Sequence, residues 1–272
     1  MIAGMGIWAV ALRYGDPGEI AVAAAELESL GYTALWIPDF GDDVFGALDR
    51  LLAATSTMTV ATGVMNVWRQ TPEATNAWWA GLSADQQARV LLGLGVSHRP
   101  LIGETWGRPL ATMRAFLDAL TVPREHRCLA ALGPKMLELA RDRTAGSHPY
   151  LVTPEHTAAA REALGPDALL APEQGVVLES DAEAARAIAR EELKSYAQLP
   201  NYTNNWKRLG FTDDDVTSLS DRLVDALFVW GDVDAVAERV TQHRAAGADH
   251  VCLQVVPGRG MHRDAWKAFA GI

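Results

Sequence analysis

Cysteine is scarce in this chain: its 272 residues include two, Cys128 and Cys252, far apart and without a CxxC spacing. That excludes a disulfide framework, and the apolar runs around both residues predict buried free thiols. Positive charge is also short, with 24 Lys and Arg against 34 Asp and Glu and a formal net charge of −10. No Lys/Arg cluster stands out, so the chain lacks the electrostatic footprint of a nucleic-acid binder. No apolar stretch of about 18 residues is free of charges or turn breakers, so no membrane span is expected. The N-terminus has neither the basic region nor the cleavage site of a secretory signal, which points to the cytoplasm. P-loop, HExxH and GxSxG motifs are missing, and no metal site is expected. Asn201-Tyr202-Thr203 matches a glycosylation sequon by chance, given the missing signal.

What is present is a globular composition, 49% hydrophobic and 21% charged, which excludes disorder over most of the length. A chain of this size buries roughly 75% of its unfolded surface, so it needs neither a disulfide nor a metal to fold. Short apolar runs alternate with helical patterns from end to end. Strands are predicted at Met5–Leu12, Thr33–Pro38, Thr59–Asn66, Arg89–Gly95, Arg127–Leu132, Pro149–Val152, Leu169–Leu178 (interrupted near Pro172) and His250–Val256. A helical pattern follows each one. Examples are Glu19–Leu30, closed by Gly31, and the helix that Gly133-Pro134 opens. Thr153 reads as an N-cap, and a further helix is expected over Asp221–Trp230. Asp213-Asp214-Asp215 reads as the acidic start of a helix. The stretch 200–220 is polar, aromatic and poor in period. It reads as a loop and possible lid over the site, and loops of that length are often functional.

Eight strand–helix units imply a parallel sheet with crossover helices. A doubly wound sheet usually carries GxGxxG after its first strand. Leu12-Arg13-Tyr14-Gly15-Asp16 is no such fingerprint, and Gly93-Leu94-Gly95 runs on into Ser97-His98. The count of units favours an α/β fold of the (β/α)₈ TIM-barrel kind, with residues 1–272 forming a single domain. In a barrel, chemistry sits at the carboxyl ends of the strands. That rule selects Asp39 and Phe40 after strand two, Gly63 to Asn66 after strand three, Gly95 to His98 after strand four, and Leu132, Gly133 and Pro134 after strand five. Asp39 suits a catalytic acid, a hydrogen-bond partner for a ring, or a helix cap. His98 suits a general acid/base or a structural role. The Ala131–Pro134 turn suits a phosphate at a helix N-terminus or is a plain tight turn. Trp68 and Trp106, beyond strand ends, suit the wall of a ligand pocket; Trp8 and Trp36 read equally well as barrel core.

The chain resembles the luciferase-like monooxygenase superfamily, in particular its coenzyme F420-dependent oxidoreductases of actinobacterial type. The resemblance is carried by residues 26–39 (Glu-Leu-Glu-Ser-Leu-Gly-Tyr-Thr-Ala-Leu-Trp-Ile-Pro-Asp), 61–68 (Ala-Thr-Gly-Val-Met-Asn-Val-Trp), 91–98 (Leu-Leu-Gly-Leu-Gly-Val-Ser-His) and 130–140 (Ala-Ala-Leu-Gly-Pro-Lys-Met-Leu-Glu-Leu-Ala). Segments 149–157, 199–211 and 247–255 continue it in order along nearly the whole length.

The resemblance implies a flavin or deazaflavin at the barrel mouth, backed by a non-prolyl cis peptide at Gly63–Val64. It implies cofactor contacts from Asp39, Gly63, Val64, Asn66, Gly95, Val96, Ser97, Leu132, Gly133 and Pro134, with help from the 153–156 loop. Phe40, Trp68 and Trp106 would border the substrate. Phe40 stands where many members carry a histidine, which leaves His98 as the candidate proton-transfer group. Loops 99–108 and 121–127 are short, and Arg99, Arg108 and Lys135 are candidate partners for an anionic tail. The implied activity is hydride transfer between coenzyme F420 and a small organic substrate. Alternatives are an FMN-dependent reductase or monooxygenase, and a non-catalytic deazaflavin-binding protein on the same fold. A homodimer is also implied. Leu48, Leu51, Leu52, Trp78 and Trp79 could form its interface or equally well pack in the core.

Overall fold

A computed structural model describes residues 2–41, 43–103 and 106–272. Asp42, in the Gly41-Asp42-Asp43 run, and Glu104 and Thr105, in the loop after strand four, lie outside the described residues. Eleven strands form one parallel sheet: β1 (Gly4–Trp8), β2 (Ala34–Ile37), β3 (Thr59–Thr62), β4 (Met65–Asn66), β5 (Val90–Gly95), β6 (Arg127–Leu129), β7 (Gly146–Ser147), β8 (Leu169–Leu170), β9 (Glu173–Val177), β10 (Phe228–Trp230) and β11 (His250–Val255). Their order is β10-β9-β11-β1-β2-β3-β5-β6-β7-β8, with β4 paired to β5. β8 and β9 are two halves of one strand broken at Ala171-Pro172, as expected from the proline. On one side of the break the Glu173 N–H donates to the Pro149 carbonyl at 2.9 Å, and on the other the Cys252 N–H donates to the Pro172 carbonyl at 2.9 Å. The sheet therefore closes on itself, and the fold is the eight-unit barrel.

Helices between the strands pack their apolar faces on the outside of the barrel. Ile20, Ala23, Ala24 and Leu27 line the inner face of the Pro17–Ser29 helix, and Ala47, Leu48, Leu51 and Leu52 that of Val44–Ala54. Leu48 and Leu51 are fully buried and Trp79 nearly so. Trp78 stacks on Phe45 and donates to Asp49. Core packing therefore takes Leu48, Leu51, Leu52 and Trp79, while Trp78 and Phe45 stay partly exposed at the edge of the core. Inside the barrel, Trp8, Trp36, Cys128 and Cys252 are buried together, and both thiols are free.

Four expectations need correction. The first strand ends at Trp8, and Ala11–Tyr14 is a helical turn. The sixth strand is Gly146–Ser147, three residues before the expected Pro149–Val152. Gly146 has φ +155°, and a Cβ there would lie 1.9 Å from the Leu169 carbonyl oxygen, so strands β7 and β8 meet only through a glycine. Phe228–Trp230 leaves the expected helix and pairs with Gly175–Val177. The bare Cα of Gly175 admits the Phe228 ring, whose Cδ1 would be 2.5 Å from a Cβ.

The fourth correction concerns 200–220, which is not an irregular loop. It holds the helices Pro200–Arg208 and Asp213–Ser218. Tyr202, Asn205 and Trp206 share one buried face at helical spacing. Asp213-Asp214-Asp215 forms the first turn of the second helix, as expected, inside a capping box with Thr212. Among the described residues no helix is long and apolar enough to cross a membrane.

Candidate functional site

Strand three breaks between β3 and β4 at the Gly63–Val64 peptide, which is cis. The Trp8 indole Nε1 donates to the Gly63 carbonyl at 2.7 Å, and the Thr62 hydroxyl donates to the Gly93 carbonyl at 2.8 Å. Glycines let β5 lie against this bulge. A Cβ on Gly93 would sit 2.1 Å from the Thr62 carbonyl oxygen, and one on Gly95 would sit 2.5 Å from Val64 Cγ2. The Leu-Gly-Leu-Gly run of residues 92–95 is thus a packing requirement of the bulge.

His148, which the sequence reading missed, lies beneath the bulge. Its ring stacks on Trp36 with centroids 4.0 Å apart, and its Nδ1 is 2.7 Å from the Ala171 carbonyl oxygen. Nδ1 therefore carries the proton, and Nε2 is a buried acceptor without a partner. Burial pushes the His148 pKa down to about 4.

Asp39 lies two residues past the end of β2 and is 5% exposed. Its carboxylate accepts from the backbone N–H groups of Gly41 (3.3 Å) and Asn66 (3.2 Å) and from Gln70 Nε2 (3.3 Å). Of the roles open to it, helix capping falls to Asp43, which accepts from the Gly46 N–H. Asp39 instead ties the far side of the bulge to the end of β2. Asn66 Oδ1 accepts from the Trp68 N–H at 3.0 Å, and Trp68 Nε1 donates to the Val96 carbonyl at 2.6 Å. Ser97 has a positive φ of 54° as the chain leaves β5. His98 then turns its ring to Tyr202 (centroids 5.4 Å) and hydrogen-bonds Asn201, both on the Pro200–Arg208 helix. Burial lowers its pKa. The Trp106 indole N–H is buried without a partner.

A second set of groups gathers where two helices start side by side. Gly133 precedes the Pro134–Arg143 helix, and Thr153 caps Pro154–Leu164 by accepting from the His156 N–H. His156 Nε2 is 3.1 Å from the Leu132 carbonyl oxygen, so it donates there and leaves Nδ1 as an unpartnered acceptor. Burial, with the nearby Arg208 charge, lowers its pKa to about 4. Arg208 Nη2 lies 3.6 Å from where a Gly133 Cβ would be and donates to Asn205 Oδ1 at 3.1 Å. Asn205 is 1% exposed, and its Nδ2 donor has no partner. A guanidinium, an unpartnered amide donor and two helix N-termini thus converge on the Leu132–Pro134 turn, an arrangement suited to an anion. Arg208 and Asn205 were missed because their helix read as a loop. The expected cations Arg99, Arg108 and Lys135 are exposed.

Between the ends of β1, β2 and β11 lies a chamber of about 510 Å³, walled by Trp8, Val10, Tyr14, Phe40, Glu192 and Tyr196 among others. Phe40 is 58% exposed and stacks on Tyr14 at 6.3 Å. Of the three expected substrate-bordering residues, Phe40 lines this chamber, whereas Trp68 and Trp106 lie outside it. Among the described residues no three His, Cys, Asp or Glu side chains are placed to share a metal ion.

The family model for luciferase-like monooxygenase matches residues 5–122, which contain the bulge, Asp39 and His98. A 5,10-methylenetetrahydromethanopterin reductase from Archaeoglobus fulgidus is 25% identical and is aligned over 89% of each chain. Among solved structures, an F420-dependent secondary alcohol dehydrogenase in complex with an F420-acetone adduct superposes with a TM-score of 0.74, at 16% identity over 100% of this chain and 98% of that one. A type II Baeyer-Villiger monooxygenase from Pseudomonas putida, in complex with FMN, gives a TM-score of 0.64, at 15% identity over 99% and 96%. The likeness to the luciferase-like monooxygenase model thus covers the first part of the chain, and the solved structures share its barrel fold end to end.

Proposed function

We propose that this protein is a cytoplasmic oxidoreductase that holds coenzyme F420 across the barrel mouth and exchanges hydride with a small organic substrate. The observation that carries the reading is the anion cradle of Arg208, Asn205 Nδ2 and two helix N-termini, opening on the same end of the barrel as the Gly63–Val64 bulge. The cradle fits the phosphate of a cofactor tail, and the bulge fits the back of a planar ring. When bound, the deazaflavin supplies a two-electron hydride carrier at its ring carbon. The chain binds and orients. Gly63 and Val64 back the ring, while Asp39 and Asn66 fix the strand end beside it. Gly95, Val96 and Ser97 border its side, and Leu132, Gly133 and Pro134 take the phosphate with Arg208.

His98 is the proposed proton-transfer group. Its lowered pKa keeps the imidazole neutral at pH 7, ready to accept a proton. His98→Ala is expected to slow turnover about a hundredfold with cofactor affinity intact; unchanged turnover would remove the role. We also propose a homodimer, which analytical ultracentrifugation tests.

An FMN-dependent reductase or monooxygenase is the second reading, favoured by the FMN complex that shares this barrel. Fluorescence titration with oxidised F420 beside FMN decides between them. Saturable binding of F420 alone supports the first reading, and binding of FMN alone moves the protein to the second. Arg208→Ala should weaken binding of the preferred cofactor roughly 10- to 100-fold, the range for a lost hydrogen bond to a charged group. Raised salt should narrow the gap between the two proteins. Equal affinities for parent and variant would show that the tail lies elsewhere.

A further inference from the structure

The chamber of about 510 Å³ beside the bulge shares the Trp8 wall with it, since Trp8 Nε1 is bonded to the Gly63 carbonyl. Its size suits a small organic ligand. Three observations describe what it would hold. Four of the eleven wall residues are aromatic, Trp8, Tyr14, Phe40 and Tyr196, which favours a flat ring. Glu192 and Arg259, one of each sign, interact across it, so the wall carries no net charge to attract an ion. Two polar groups face it with capacity to spare. Gln254 is 2% exposed; its Oε1 is shut off from the chamber, and its Nε2 lies toward Gly258 in the chamber wall, 3.4 Å from where a Gly258 Cβ would be. The Tyr196 hydroxyl donates to the Tyr150 hydroxyl behind it at 3.3 Å, which leaves the Tyr196 oxygen as an acceptor.

We propose that this chamber is the substrate site, and that it takes a flat, uncharged ring compound whose carbonyl oxygen accepts from Gln254 Nε2 while a hydroxyl or N–H on the ring donates to the Tyr196 oxygen. The assignment of the chamber to substrate rests on the oxidoreductase reading above. The hydroxyl pair is backed by Glu173, which is buried in the barrel and accepts from the Leu151 N–H. Burial raises the Glu173 pKa to about 8, so the carboxyl is protonated at pH 7 and sets no negative charge behind the tyrosines. The Tyr196 oxygen, its hydrogen given to Tyr150, is the acceptor that a ring hydroxyl or N–H requires.

The test is calorimetric titration of the full-length protein with p-hydroxybenzaldehyde, with and without F420. One-to-one binding is expected. Tyr196→Phe and Gln254→Leu should each weaken it roughly three- to tenfold, the range for one lost hydrogen bond. Val10→Trp should abolish it by filling the chamber. None of the three should change F420 affinity. If Val10→Trp does not fold, the two conservative variants decide. Absence of binding to the parent, or binding indifferent to all three substitutions, overturns the proposal and leaves the cofactor reading standing. Ring binding that responds as described in a protein that takes no F420 keeps the chamber and removes the deazaflavin.

Discussion

At pH 5 the protein is expected to be about 5 kcal/mol less stable than at pH 7, a loss comparable to the whole stability of many domains. Four histidines are buried and neutral. Burial is the first cause at each, and it lowers the pKa of His148 and His156 to about 4 and of His243 and His250 to about 3. His243 sits between the Thr157 hydroxyl and Gln174 Oε1, and His250 Nε2 accepts from the Trp36 indole.

In the unfolded chain each imidazole titrates near 6.5. Below that pH the unfolded state takes up protons that the folded state refuses until about pH 4, so stability falls as pH falls through this window. Each histidine contributes a loss of about 2 kcal/mol between pH 7 and pH 5. Glu173 acts the other way. Its pKa is raised by burial from 4.5 to about 8, so folding gains stability as pH drops toward 4.5. That returns about 2 to 3 kcal/mol over the same interval. Urea unfolding followed by circular dichroism at pH 7, 6 and 5 measures the sum; a flat profile would show that the histidines are not held neutral. Glu173→Gln should steepen the acid loss and raise stability near pH 9.

Gly93→Ala should destabilise the fold by about 3 kcal/mol or more, the upper end of the usual cost of overpacking. The added methyl would lie 2.1 Å from the Thr62 carbonyl oxygen and 3.2 Å from Val64 Cγ1. The obstacle is backbone, so no rotamer change relieves it. Either β5 retreats from β3 or the Gly63–Val64 bulge is displaced, and both disturb the surface proposed to support the ring. The variant is therefore expected to show a lower melting temperature together with weakened cofactor binding. By contrast, Gly81→Ala meets nothing within 4 Å in the Pro72–Gly81 helix and should leave both unchanged. A Gly93→Ala protein that melts and binds like the parent would mean that β5 does not abut the bulge this closely.

The barrel was legible because its units obey simple rules. Strands such as Thr59–Thr62 are rich in β-branched residues, and helices such as Pro154–Leu164 begin with Thr-Pro. The bulge residues, Asp39 and the Gly133 turn were reachable from the rule that sites gather at strand ends, sharpened by the resemblance. Two kinds of residue escaped. His148 was lost because β7 is two residues long, Gly146-Ser147, with no apolar or β-branched signal. Neighbouring strands set its conformation, and local propensity does not. Arg208 and Asn205 were lost because Pro200–Arg208 is only nine residues long and carries mostly polar side chains. Its one available signal was the spacing of Tyr202, Asn205 and Trp206, three and four apart. Partnerless buried groups such as His148 Nε2 and Asn205 Nδ2 exist only as relations in space, and no reading of a single segment supplies them.

The Pro200–Arg208 helix has a consequence for how such a protein diversifies. Its Asn201 and Tyr202 meet His98, while Asn205 and Arg208 reach the Leu132–Pro134 turn, and the helix contributes no strand to the barrel. On the proposed cofactor reading, preference for one tail over another can drift by point changes within nine residues, or by exchange of that one segment between relatives, while the eight-unit frame is inherited unaltered.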